Sequence, residues 1–335
     1  MRIAIFGTRL YDRQFLTAAN AEGRFDLLFL DTPLDGRTAA LAAGCEAVCV
    51  FVNDLVDRPV IEQLAARGVR VVALRCAGYN NVDLRAAEEL GIAVVRVPAY
   101  SPHAVSEFTI GLLLSLDRKI HRAWARVREN NFALDGLVGR GLHGRVAGVV
   151  GTGRIGALVA RALRAGFGCE VLASDPFVDP ALVELGVRYV PRGQLLREAE
   201  IVSLHCPLTP ETRHLIDARV LAEAKPGLVI VNTSRGALID AAALIEALKS
   251  RRVGGVALDV YEQEAGIFFD DLSSEIIEDD VLQRLLTFPN VLMTGHQAFL
   301  TEGALAAIAA MTLESVGDFL AGRPLRDGVR LAWQG

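Results

Sequence analysis

Paired cysteines are missing from this sequence. Its five (Cys45, Cys49, Cys76, Cys169 and Cys206) are scattered and odd in number, and none forms a CxxC pair. A disulfide framework is therefore not expected, nor a metal site. The five read as small hydrophobes in a reducing cytosol. A basic excess is missing too. The net charge is −5, whereas a surface built for phosphate backbones carries clustered positive charge, so no nucleic-acid partner is expected. The longest apolar run, Ile110–Leu116 with its flanks, is too short to cross a bilayer. The opening MRIAIFG lacks the long apolar core of a signal peptide and reads as a buried strand. No membrane partner is expected, and the expected location is the cytoplasm. Repeats of solenoid period and low-complexity stretches are also lacking.

What is present is a chain of 335 residues with 52% hydrophobic and 22% charged residues, enough for two cores. Short apolar runs alternate with helical stretches. Arg2–Phe6, Asp26–Leu30, Ala47–Val52, Arg70–Leu74 and Ala93–Val97 look like strands buried on both faces, with helices such as Pro59–Arg67 and Val82–Leu90 between them. Such alternation predicts a parallel sheet with helices on both sides. Ala104–Arg128 then reads as one long helix bridging to a second βα series. Its strands are Val146–Val150, Glu170–Ser174, Ile201–His205, Leu228–Asn232, Gly254–Asp259 and Val291–Thr294. Its helices include Ile155–Phe167 and Ala241–Lys249, and a last amphipathic helix covers Thr301–Leu320.

The clearest local signal is Gly151-Thr152-Gly153-Arg154-Ile155-Gly156, which follows a strand and opens a helix. Gly151 permits the tight turn, Gly153 lets a pyrophosphate approach the backbone, and Gly156 lets the helix pack on the strand. The next strand ends at Asp175, where an acidic side chain would hold the adenosine ribose. A carboxylate there repels a 2′-phosphate, so the sequence favours NAD over NADP.

Unusual polar residues share one position, the carboxyl end of a strand: Asp175, His205-Cys206-Pro207, Thr233-Ser234-Arg235-Gly236, Asp259 and His296. Arg75-Cys76-Ala77-Gly78 and Pro98-Ala99-Tyr100 are their counterparts in the first half. Ligands bind along that edge of an open α/β sheet. Hydride transfer to a keto acid needs a cation for the carboxylate and carbonyl, an acid/base near neutrality, and a group to tune it. Arg235, His296 and Glu264 suit those roles. Each also has a structural reading as a surface ion pair, a packed histidine or a solvated loop residue. Spacing alone does not select these three.

A resemblance does. Lys225–Asp240, with its run VIVNTSRGALID, the stretch Asp259–Glu264, and Gly295-His296-Gln297-Ala298-Phe299 together resemble the signature of the D-isomer-specific 2-hydroxyacid dehydrogenases. Further residues are similar to the fermentative D-lactate dehydrogenases within that family. They are Tyr100-Ser101-Pro102, Asn131-Phe132, Leu134–Leu137, Ala265–Phe269 and Thr287–Val291. The resemblance covers essentially the whole chain.

It implies two doubly wound parallel-sheet α/β domains with an active-site cleft between them. One is a discontinuous, flavodoxin-like substrate domain of residues 1–100 plus 300–335. The other is a Rossmann NAD-binding domain of residues 101–299. It further implies Arg235, Glu264 and His296 as catalytic residues. Amides around Cys76, Ala77 and Gly78 would hold the substrate carboxylate, and Tyr100 and Phe299 would line its side-chain pocket. Cys206, Pro207, Thr233, Ser234 and Asp259 would contact NAD. The implied partners are a small 2-keto or 2-hydroxy acid and a second copy, as a homodimer or dimer-based oligomer. Cys76 departs from the serine expected in this subfamily. The expected activity is reduction of pyruvate to D-lactate. The alternatives are a bulkier 2-keto acid and a non-catalytic NADH sensor resembling the corepressors of this fold.

Overall fold

The computed structural model describes residues 1–324 and 330–332. The chain forms two compact units, Met1–Ser101 with Leu300–Gly335, and Pro102–Phe299. Part of the tail, residues 325–329 and 333–335, lies outside the described residues.

In the first unit the strands are β1 (Arg2–Ile5), β2 (Asp26–Phe29), β3 (Ala47–Val50), β4 (Val71–Leu74) and β5 (Ala93–Arg96). All pair in parallel, in the spatial order β5-β4-β3-β1-β2. This is the flavodoxin-like order. Apolar residues alone fill β3 (AVCV) and β4 (VVAL), whose four residues each are all buried, as a parallel sheet covered on both faces requires. The helix Glu302–Leu320 packs here: its Ala309, Leu313, Val316 and Phe319 join Ile3, Ile5, Val71 and Val95 in one core. That helix is long and apolar enough to cross a membrane by composition, but this face is spent on the unit's own sheet.

The second unit carries β6 (Val146–Val150), β7 (Glu170–Ser174), β8 (Arg188–Tyr189), β9 (Ile201–Leu204), β10 (Leu228–Asn232), β11 (Val253–Leu258) and β12 (Val291–Met293). They form one parallel sheet in the order β8-β7-β6-β9-β10-β11-β12. The order reverses at β6, so the crevice beyond β6 and β9 is the topological switch point. A further strand, β13 (Arg330–Ala332), pairs antiparallel with β5 in the first unit.

One expectation needs correction. The long helix expected over Ala104–Arg128 is two helices, Pro102–Asp117 and Ile120–Arg128. Lys119 breaks it with φ 53. The cause is polar bonding that hydrophobic periodicity does not register. Buried Asp117 accepts from the Gly141 amide at 2.9 Å and faces Arg145 at 3.6 Å. His121 Nδ1 reaches back to the Ser115 carbonyl at 3.1 Å. The helix expected over Ile155–Phe167 begins at Arg154 and finishes as a π-turn, Ala162–Gly166. The two-residue β8 is too short for alternation to reveal.

Candidate active site

The Gly-rich turn leaves β6 at Gly151, whose φ is +88. A Cβ there would lie 2.7 Å from the Cys206 nitrogen, so the turn and the end of β9 touch backbone to backbone. At Gly156 a Cβ would sit 1.9 Å from the Gly151 carbonyl oxygen, which no side chain tolerates. Gly153 differs: nothing lies within 4 Å of its added Cβ. The space a pyrophosphate needs is open, at the start of the helix Arg154–Arg161.

The Asp175 carboxylate is held on both oxygens. It accepts from the Thr152 amide at 2.6 Å and from the Phe177 amide at 2.8 Å. Gly153, Arg154, Asp175, Phe177, Cys206 and Pro207 line a groove of about 980 Å³. His205 edges the same groove, and its Nε2 pairs with Ser203 Oγ at 2.7 Å. Burial pushes this imidazole down to about 4, so it is neutral at physiological pH. The fold and the residues fit a dinucleotide: a glycine cradle, a helix start and a fixed carboxylate converge on one groove.

Beyond β10 the chain turns into the Arg235 segment. Asn232, fully buried, shapes that turn by accepting from the Ser234 amide at 3.0 Å and donating to the Arg235 carbonyl at 2.8 Å. Ser234 Oγ donates to the Cys206 carbonyl at 2.8 Å, and Thr233 Oγ1 pairs with Thr109 Oγ1 at 2.8 Å. These bonds tie the segment to the groove wall and to the helix Pro102–Asp117. Gly236 then passes so close to the Tyr261–Glu262 backbone that a Cβ would lie 2.0 Å from the Tyr261 carbonyl carbon.

That contact brings the Arg235 segment against the segment bearing Glu264. The Glu264 carboxylate accepts from the Tyr261 amide at 3.1 Å with one oxygen. The other lies 2.8 Å from His296 Nδ1. An ionised carboxylate only accepts, so the pair places a proton on Nδ1. His296 Nε2 has no protein partner among the described residues. His296 has φ 55 and its ring neighbour Phe269 has φ 72, with ring centroids 5.7 Å apart. Two non-glycine residues in the left-handed region, in contact, mark strain held by surrounding structure, a pattern that concentrates at functional sites.

Asp259, which the resemblance implies for a contact with the nicotinamide end, also has partners within the chain. It is 0% exposed and accepts from Thr294 Oγ1 at 2.6 Å, the Gln297 amide at 2.9 Å and the Ala298 amide at 2.8 Å. Burial pushes its carboxyl up, and those three donors act the other way. It buttresses the segment on either side of His296.

In the first unit, Cys76 and Ala77 lie in a bend at the end of β4 with Gly78 directly after it, and Tyr100 follows β5. Phe299, 7% exposed, closes the second unit. The structure thus gathers Glu264 with His296, the Arg235 segment with the Glu264 segment, and Gly151, Gly153, Arg154, Asp175, Cys206 and Pro207 around one groove, whose lining does not include Ile155, Gly156, Thr233, Ser234 or Asp259. Sequence reasoning missed Asn232 and Gly236. A glycine directly after the strand-end arginine was the available signal for the second, whereas nothing in the sequence marked Asn232.

Comparison with known proteins adds independent findings. The profile described as "D-isomer specific 2-hydroxyacid dehydrogenase, NAD binding domain" matches residues 110–298. A "2-hydroxyacid dehydrogenase homolog" of Haemophilus influenzae is 54% identical over 96% of this chain and 97% of its own. A "D-lactate dehydrogenase" of Escherichia coli is 52% identical over 95% and 96%. Among solved structures, one described as the pyruvate reductase of Chlamydomonas reinhardtii superposes with a TM-score of 0.92 at 44% identity, covering 98% of both chains.

Proposed function

The chain belongs to the D-isomer-specific 2-hydroxyacid dehydrogenase family, and from that premise we propose that it reduces pyruvate to D-lactate with NADH. The observation that carries the reading is the Glu264–His296 pair at 2.8 Å, set in a domain with a complete dinucleotide groove. Gly151, Gly153, Arg154, Ile155, Gly156 and Asp175 would hold NADH, which when bound supplies the hydride. The remaining chemistry falls to side chains and amides. Backbone N–H groups at Ala77 and Gly78 hold the substrate carboxylate. The Arg235 guanidinium stabilises the charge that develops on the carbonyl oxygen. His296 delivers the proton from Nε2, because Nδ1 is committed to Glu264. Glu264, oriented by the Tyr261 amide, fixes the ring and stabilises the charged imidazole. Tyr100 and Phe299 bound the substrate's methyl side in this reading.

Substrate size is the finer question, since a branched or aryl keto acid would use the same machinery. With NADH saturating, kcat/KM for pyruvate is expected to exceed that for 2-ketoisocaproate and phenylpyruvate by at least about tenfold, roughly the discrimination that a few misplaced methylenes produce. The reverse order would keep the mechanism and replace the substrate. NADH binding with turnover of no keto acid would favour the sensor.

The proposal extends to a homodimer in a reducing cytosol. The five thiols are buried and unpaired, which suits that compartment. The helix Ile120–Arg128 buries none of its residues, and Ile120, Trp124 and Val127 are each about half exposed or more on it. Phe132, Leu134 and Val138 follow, also exposed. The exposed apolar face formed by Ile120, Trp124 and Val127 suits a second copy. Sedimentation at micromolar concentration should show a dimer, and Trp124→Glu should shift it to monomer. A monomeric parent chain would remove the dimer from the account.

A further inference from the structure

At the end of β4 three successive carbonyls are turned into the protein. The Cys76 carbonyl accepts from the Val97 amide at 3.2 Å. The Ala77 carbonyl accepts from Arg96 Nη1 at 2.8 Å. The Gly78 carbonyl accepts from Cys76 Sγ–H at 3.2 Å. A trans peptide carries its N–H opposite its C=O, and no cis bond occurs here. Fixing these carbonyls therefore fixes the direction of the N–H groups of Ala77, Gly78 and Tyr79. None of the three donates to a protein acceptor among the described residues. Successive unpaired N–H groups in a bend form an anion-binding concavity.

Of the three carbonyl clamps, the first is backbone and the other two are side chains. Arg96 stands beside the bend because β5 pairs with β4 in the register Leu74↔Arg96. Its guanidinium also lies over the Tyr79 ring, 5.0 Å from the centroid, so two contacts set its position. A charged donor on the Ala77 carbonyl polarises that peptide and makes the Gly78 N–H a better donor, by ~10–30%. The thiol at position 76, where the subfamily resemblance implies serine, is thereby accounted for: like a hydroxyl it donates a proton to the Gly78 carbonyl.

We propose that Arg96 and Cys76 are positioning residues which lock two peptide planes and so aim the Gly78 and Tyr79 N–H groups at the substrate's carboxylate. The inference rests on the reading that amides of this segment hold that carboxylate, and adds the Tyr79 N–H to those at Ala77 and Gly78. A carboxylate is bound alike in the ground state and the transition state, so losing its alignment raises KM and spares kcat.

The test uses the full chain with saturating NADH, pyruvate as substrate, and oxamate, an unreactive isostere, as binding probe. Arg96→Met should raise the pyruvate KM and the oxamate Kd about tenfold, with kcat and the NADH Kd each within about twofold. Millimolar guanidinium should restore much of the lost affinity in Arg96→Met and do nothing for the parent, a response no merely structural role gives. Cys76→Ala should raise KM a few-fold, and Cys76→Ser, which restores a donor, should return it to about the parent value. The Cys76 pair decides the matter even if Arg96→Met does not fold. Unchanged KM in both Arg96→Met and Cys76→Ala, or a loss confined to kcat, overturns the inference while leaving the substrate reading intact. A parent chain that reduces no 2-keto acid overturns both.

Discussion

His296→Ala is expected to lower kcat for keto-acid reduction by about 10²–10⁴-fold while the NADH Kd stays within about twofold. The geometry explains the separation. His296 Nδ1 is bound to Glu264 at 2.8 Å, and the ring meets Phe269 rather than the dinucleotide groove. Removing the imidazole removes a proton donor and leaves Gly151–Gly156 and Asp175 as they are. One complication is conformational. His296 has φ 55, and alanine disfavours that region more than asparagine does. His296→Asn is therefore the companion variant, keeping the backbone and losing the acid. Both should be equally inactive, and NADH fluorescence titration should show both binding. A variant that keeps kcat within about tenfold would remove His296 from the proton-transfer role.

Gly236→Ala is the second expected loss, and it touches no reacting atom. A Cβ at this position would overlap the Tyr261–Glu262 backbone at 2.0–2.3 Å. No rotamer relieves a clash with main chain, so the two segments must separate. One carries Arg235, held by Asn232 on its other side. The other carries Glu264, held by the Tyr261 amide. Separation by about 1 Å is enough to cost on the order of 10²-fold in turnover, through Arg235 and through the Glu264–His296 pair together. Steady-state kinetics should show kcat/KM falling by that amount. Thermal unfolding should show a lesser effect, because the core strands β9, β10 and β11 remain paired. Parent-like kinetics would mean the segments are not coupled through this contact.

The fold was legible where periodicity and glycine placement carry it. Runs such as AVCV and VVAL admit little but a doubly covered strand, and GTGRIG after a strand defines its own turn. The break at Lys119 was not legible, because it depends on Asp117 finding Arg145 and Gly141, residues distant in sequence. The catalytic residues were legible only through resemblance. A histidine after a strand and a glutamate in a charged loop are each ordinary, and only folding shows that they meet. The supporting roles of Asn232, Gly236 and Arg96 depend on backbone approach and carbonyl direction, which a sequence does not display. Asp259 is a further case. The resemblance named it for a cofactor contact, and only the structure shows that its carboxylate also accepts from Thr294, Gln297 and Ala298.

The most direct measurement combines NADH consumption with product stereochemistry. Purified protein is mixed with NADH and pyruvate, absorbance of the reduced nicotinamide is followed, and the product is resolved on a chiral column. Rapid loss of absorbance with D-lactate as the product is the predicted result. No absorbance loss with any 2-keto acid, or L-lactate as the product, would contradict the account.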